Sequence, residues 1–154
     1  MPGRTELFID KWINCLRGSD HELARIAATK LGTTKHPTVV QELIKVLHNR
    51  PDDLRVAAIR ALGSIGDETA VKPLIELLDD PHPVVSSAAV GALGEIGSPK
   101  AVAPLIRILR DYKQIEDRHE QIHSANRGLY MAAIDALARI NTPEARDALK
   151  RYYR

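Results

Sequence analysis

Aromatic side chains make up only 4% of the 154 residues. Any core must therefore be built from leucine, isoleucine, valine and alanine, side chains that suit closely packed helices. A single cysteine, Cys15, excludes an internal disulfide; beside Leu16 it reads as a small core hydrophobe rather than a nucleophile. Neither sign of charge dominates, with 22 Lys plus Arg against 20 Asp plus Glu. That balance removes the electrostatic drive toward nucleic acid or an anionic membrane. No apolar run approaches the length of a membrane span, and no basic, apolar, small-residue leader opens the chain. The expectation is a soluble, cytoplasmic protein without membrane insertion. There is no glycine-rich phosphate loop and no Ser-His-Asp order.

What the chain does contain is a repeat. Leu62-Gly63 and Leu93-Gly94 stand 31 residues apart, as do Ala-Val-Lys-Pro-Leu-Ile at 70–75 and Ala-Val-Ala-Pro-Leu-Ile at 101–106. A period of this size marks stacked supersecondary units, each too small to bury its own apolar face. The phase runs back to the start, through Leu16, Leu47, Leu78 and Leu109 and through Leu31, Leu62 and Leu93. Leu137 then follows Leu93 by 44 residues, so thirteen extra residues lie within 111–127.

Each unit reads as two helices, A and B, with apolar residues at helical spacing. Ile9, Trp12, Ile13 and Leu16 mark the first A helix. After the break and cap of Gly18-Ser19-Asp20, Leu23, Ile26, Ala27 and Leu31 mark the first B helix, stopped by Gly32. The later A helices carry Val40, Leu43, Ile44 and Leu47, then Val71, Leu74, Ile75 and Leu78, then Val102, Leu105, Ile106 and Leu109. Their B helices carry Leu54, Ala57, Ala58, Ala61, Leu62 and Ile65 or the equivalents one period on. Pro73 and Pro104 fall inside A helices and predict a bend. A last A helix opens at Thr142-Pro143; there Arg146 and Lys150 replace apolar residues, the polar end that a repeat array requires. The organisation is one domain with repeats at about 5–34, 36–66, 67–97 and 98–141, an insertion at 111–127 and a capping helix at 142–153.

The units Leu54 to Leu78 and Val85 to Leu109 resemble HEAT repeats of the short type first noted in phycobilisome bilin lyases. The shared pattern is Val-Arg-x-Ala-Ala-x-x-Ala-Leu-Gly-x-Ile-Gly-Asp. The chain departs from it at Ala24 and Ser86, where the arginine stands, and at Ala138, where the Leu-Gly glycine stands. The resemblance implies an all-α solenoid of about 4.5 helical hairpins, roughly nine helices, wound as a right-handed superhelix with the B helices on its concave side. Relatives of this type include bilin lyases and chaperone-like scaffolds, deoxyhypusine hydroxylases and DNA glycosylases of related helical-repeat architecture.

With 54, 57, 58, 61, 62 and 65 in the core, a helical wheel puts 56, 59, 60 and 63 on the opposite stripe. Carried through the period, the candidate partner-binding residues are Arg25, Val56, Ile59, Arg60, Ser87, Val90, Met131, Ile134 and Asp135. Exposed apolar ribbons with polar edges mark partner sites. Ile59, Val90 and Ile134 fit a second role equally well, filling the joint between neighbouring B helices, which leaves Val56 and Met131 as the better candidates. Arg60 and Asp135 would act as polar selectors. In the insertion, Tyr112, Ile115 and Ile122 either pack an extra helical turn against the A helix or belong to a loop. Its expected place is one rim of the groove, with Tyr112, Ile115, Arg118 and His119 contributing to partner choice.

His119-Glu120-Gln121-Ile122-His123 is a literal H-E-x-x-H, which on a helix sets two imidazoles for zinc, with Glu144 as the available third ligand. The string lies in a short polar insertion without the strand-framed cleft of a zinc peptidase, so metal is the lesser reading. The resemblance to deoxyhypusine hydroxylases would place His-Glu pairs just after the Val-Arg of the B helices. Here those places hold Val56-Ala57, Ser87-Ala88 and Met131-Ala132, and His21-Glu22 is out of register, so the iron site is absent. Nucleic acid is disfavoured because the stripe supplies mainly Arg25 and Arg60; the basic run Arg146, Lys150, Arg151 and Arg154 reads as the solvated face of the cap. The expected function is a non-catalytic scaffold without a cofactor, binding a helix or extended segment of another protein. The alternative is a bilin lyase or phycobiliprotein-associated chaperone subunit, whose partner would be a phycobiliprotein.

Overall fold

The computed structural model describes residues 3–118, 121 and 123–153, and within these the chain is helical throughout, with no strand. The α-helices are α1 (Arg4–Arg17), α2 (His21–Leu31), α3 (Pro37–Val46), α4 (Asp52–Ile65), α5 (Val71–Glu76), α6 (Pro83–Ile96), α7 (Val102–Asp117), α8 (Ser124–Ile140) and α9 (Pro143–Tyr152). Odd-numbered helices are the A helices and even-numbered ones the B helices. α2, α4, α6 and α8 pack in a row, each against the next, and each A helix lies against its own B helix. This is an α-solenoid.

Helix ends fall where the side chains can cap them. The carboxylates of Asp20 and Asp67 and the hydroxyls of Ser98 and Thr142 accept backbone N–H groups at the starts of their helices. At the ends of α4, α6 and α8 the chain turns left-handed at Gly66, Gly97 and Asn141, with φ of 76°, 75° and 55°. The two prolines of the A helices stand near the α-helix starts at Val71 and Val102. A 3₁₀ turn precedes the α-helical part at Glu68–Ala70 and Pro99–Ala101. Pro73 and Pro104 therefore sit in the first α-helical turn, where the missing N–H leaves no intrahelical bond unmade.

The B helices touch at glycines. A Cβ on Gly32 would lie 2.8 Å from Ala61 Cβ, one on Gly63 would lie 3.0 Å from Ala92 Cα, and one on Gly94 would lie 2.8 Å from Ala136 Cα. The inner B helices α4 and α6 thus have three neighbours, their own A helix and a B helix on either side, and their buried arc is wide. In α4 that arc holds Leu54, Arg55, Ala58, Ile59, Ala61, Leu62, Gly63 and Ile65.

Where the insertion is described, it lengthens both helices of the hairpin. α7 continues to Asp117, and α8 starts at Ser124, ahead of the repeat phase. Tyr112 stacks on Tyr130 with ring centroids 4.2 Å apart, and the Tyr130 hydroxyl donates to the Tyr152 carbonyl, tying the lengthened pair to α9.

Glu42 joins the first two hairpins. Its buried carboxylate accepts from Arg17 Nε at 2.8 Å and Lys45 Nζ at 2.7 Å. The Arg17 hydrogen bond, helped by Lys45 and opposed by burial, holds its pKa at about 2 against an ordinary 4.5. A depressed carboxylate pKa contributes stability that is full above the unfolded value and is lost as pH falls through the folded one. Stability is expected to drop between about pH 4.5 and 2, and Glu42→Gln to flatten that part of the urea-midpoint profile. An unchanged profile would remove Glu42 from the acid response.

Candidate functional site

The row of B helices leaves two adjoining grooves on its outward side. One, of about 560 Å³ between α2 and α4, is lined by Arg25, Thr29, Thr33, Lys35, Asp53, Val56, Ala57, Arg60 and Ser64 among others. The other, of about 570 Å³ between α4 and α6, is lined by Arg60, Pro83, Val84, Ser87, Ala88, Gly91 and Glu95, with Ala92 at its floor. Arg60 is exposed and forms the wall common to both.

Four of the residues expected on this face, Arg25, Val56, Arg60 and Ser87, line the grooves. Met131, 49% exposed, and Asp135 lie on α8 at the matching register. Arg25 is engaged by Glu22 and Asp135 by Arg139, each pair within one helix. The Arg25 hydrogen bond lowers the Glu22 pKa, and Glu22 in turn raises that of Arg25. Ile59 and Val90 are corrected: both are wholly buried and cannot meet a partner. They fill the joint between successive B helices, the second of the two roles open to them. Ile134, at the same register in α8, is only half-buried, because among the described residues no second B helix packs against α8.

The true outward strip in α4 is 53, 56, 57, 60 and 64, rotated from the expected one toward the side of Ala57. A simple two-sided wheel assigns one buried face, whereas three neighbours leave only a narrow strip. Val84, 55% exposed, together with Asp53 and Glu95, was missed for that reason. The 31-residue register relating Asp53 to Val84 was the available signal.

At the insertion, Tyr112 is also corrected, being buried under Tyr130 and closed to a partner. Ile115 is half-buried and borders a cavity of about 150 Å³ with Leu78, Ile108, Asn126 and Leu129, edged by the two-bond Asp79–Arg107 pair. Arg118 is exposed, and His119 lies outside the described residues. Of the zinc alternative His119, His123 and Glu144, His123 precedes α8 and Glu144 lies in the first turn of α9. Among the described residues no three His, Cys, Asp or Glu side chains gather as a metal site.

Residues 42–124 match the family model for HEAT repeats, and residues 129–154 match that for the PBS lyase HEAT-like repeat. The chain belongs to the HEAT-repeat family. Among solved structures, this HEAT-repeat chain is similar to the complex of CpcE and CpcF of phycocyanin lyase from Nostoc sp. PCC7120. The TM-score is 0.69 at 25% identity, covering 99% of this chain and 65% of that one. The HEAT chain thus spans somewhat under two-thirds of that lyase chain's length. Human deoxyhypusine hydroxylase matches with a TM-score of 0.62 at 18% identity, covering 96% of this chain and 67% of its own. An engineered protein matches with a TM-score of 0.58 at 21% identity, covering 94% and 68%. At those identities the last two speak to fold alone. No curated protein sequence matches the chain. No helix among the described residues is long and apolar enough to cross a membrane.

Proposed function

We propose that this HEAT-repeat chain is a non-catalytic interaction module that holds a helix or extended segment of another protein across its B-helix face. The observation that carries this reading is the pair of adjoining grooves sharing Arg60, each with an apolar floor and charged edges. Such a floor gives affinity through burial, while the edges set register and orientation. Pull-down from the native host with mass spectrometry names the partner. Val56→Glu and Met131→Glu are then expected to weaken its binding at least about tenfold, roughly 1.4 kcal/mol, with the melting temperature unchanged. Unaltered affinity would move the site to the A-helix side or the insertion.

A second reading, a subunit of a bilin lyase or a phycobiliprotein chaperone, is favoured by the PBS lyase repeat at 129–154 and the likeness to the CpcE and CpcF complex. It predicts phycobiliprotein subunits among the captured proteins. Their absence, with unrelated partners present, would remove it.

A further inference from the structure

The 31-residue register shows what the first hairpin leaves uncovered. Phe8 stands where later A helices place Val39, Ala70 and Ala101, all wholly buried, yet Phe8 is 41% exposed. Trp12 stands where Leu43, Leu74 and Leu105 are wholly buried, and Cys15 where Val46, Leu77 and Ile108 are buried; both are only half-covered. On α2, Leu23 is 39% exposed at the register of the wholly buried Leu54 and Val85. These are positions that close when a repeat has a predecessor. A repeat array normally turns such an end polar, as Arg146 and Lys150 do on α9, but this end keeps the chain's only phenylalanine and only tryptophan.

A further B helix stacked in the repeat manner does not fit here. Lys30 occupies the place of Ala61, Ala92 and Ala136, the residues that meet a glycine of the preceding B helix. Ala138 in turn replaces the glycine that α8 would offer. Head-to-tail stacking of copies by the repeat geometry is therefore blocked at both ends.

The stripe is self-complementary. Phe8, Trp12 and Cys15 follow the i, i+4, i+7 spacing of one helix face. Two such helices laid antiparallel about an axis at Trp12 bring Phe8 against Cys15 of the other copy, large against small. The same arrangement carries Arg4 to the far end of the other α1, beside its last carbonyls and Asp20. We propose that two copies of this chain associate through the exposed end of the first hairpin, α1 against α1, across a twofold axis near Trp12.

Sedimentation equilibrium of the full chain from sub-micromolar to high-micromolar concentration tests this. The expected result is a mass rising to twice that of one chain, with Trp12 fluorescence shifting to shorter wavelength over the same range. Phe8→Glu is at an exposed position, and its helix content and melting by circular dichroism should match those of the wild-type monomer. It should weaken association at least about a hundredfold. A single-chain mass throughout, a mass increase that leaves Trp12 emission unmoved, or a Phe8→Glu variant that associates like the wild type would each overturn the proposal.

Discussion

Replacing Gly94 by valine is expected to lower the unfolding free energy by about 3 kcal/mol, whereas replacing Gly91 by alanine, one turn away in the same helix, should raise it by about 0.5–1 kcal/mol. The opposite signs follow from what a new Cβ meets. At Gly94 it would lie 2.8 Å from Ala136 Cα and 2.9 Å from Ala136 Cβ. These are atoms fixed to the α8 backbone, so relief requires moving the whole helix. Valine adds two more carbons to that collision. Any retreat of α8 also strains the Tyr112–Tyr130 stack and the Tyr130 bond to α9. At Gly91 nothing lies within 4 Å, so alanine brings only its better helix propensity. Urea unfolding at constant m-value reads both effects as midpoint shifts in opposite directions. A neutral Gly94→Val would mean that α6 and α8 do not touch at this point.

Those glycines also show where sequence reading succeeds and where it stops. The recurrence of Leu-Gly is visible as a 31-residue period, and the period alone implies stacked hairpins. The reason for glycine is not visible, because its contact is an alanine of the next B helix, Ala61 for Gly32, Ala92 for Gly63 and Ala136 for Gly94, a pairing that only the helix crossing defines. Once the crossing is known, the departure at Ala138 explains itself: among the described residues no B helix packs on that side of α8, so no neighbour demands the space. The same missing neighbour explains Ile134, half-buried where Ile59 and Val90 are sealed. For the candidate site, Val56, Arg60, Ser87 and Met131 were legible because they lie centrally in the outward strip. Val84 and Glu95 were not, since the width of that strip depends on how many helices press on each B helix. Thirteen added residues could be counted, but the extension of α7 and α8 past the repeat phase, with Tyr112 stacked on Tyr130 across the hairpin, is visible only in three dimensions.

Asp80→Ala is expected to cost about 3–5 kcal/mol, comparable to the valine insertion but by a different route. Arg55 is only 8% exposed, and its guanidinium serves three segments at once. Nε donates to the Leu47 carbonyl at 2.8 Å, Nη1 to Asp52 at 3.1 Å, and Nη2 to Asp80. The first contact satisfies a carbonyl at the end of α3, where the helix dipole favours a cation. The last holds the turn that leads into α6, whose His82 N–H also donates to Asp80. Burial pushes the Asp80 pKa up, but Arg55 and the His82 backbone N–H together bring it below its ordinary value. Its contribution is therefore full above about pH 4 and lost as pH falls below that. Removing Asp80 leaves a largely buried cation with one carboxylate fewer, which is why the single change is costly. The register places Ala24, Ser86 and Tyr130 where Arg55 stands, so the fold tolerates uncharged side chains there. Arg55→Met combined with Asp80→Leu should accordingly lose much less than Asp80→Ala alone. If instead the double variant falls by the sum of the two single losses, the pair acts as separate anchors and the coupling between the second and third hairpins lies elsewhere.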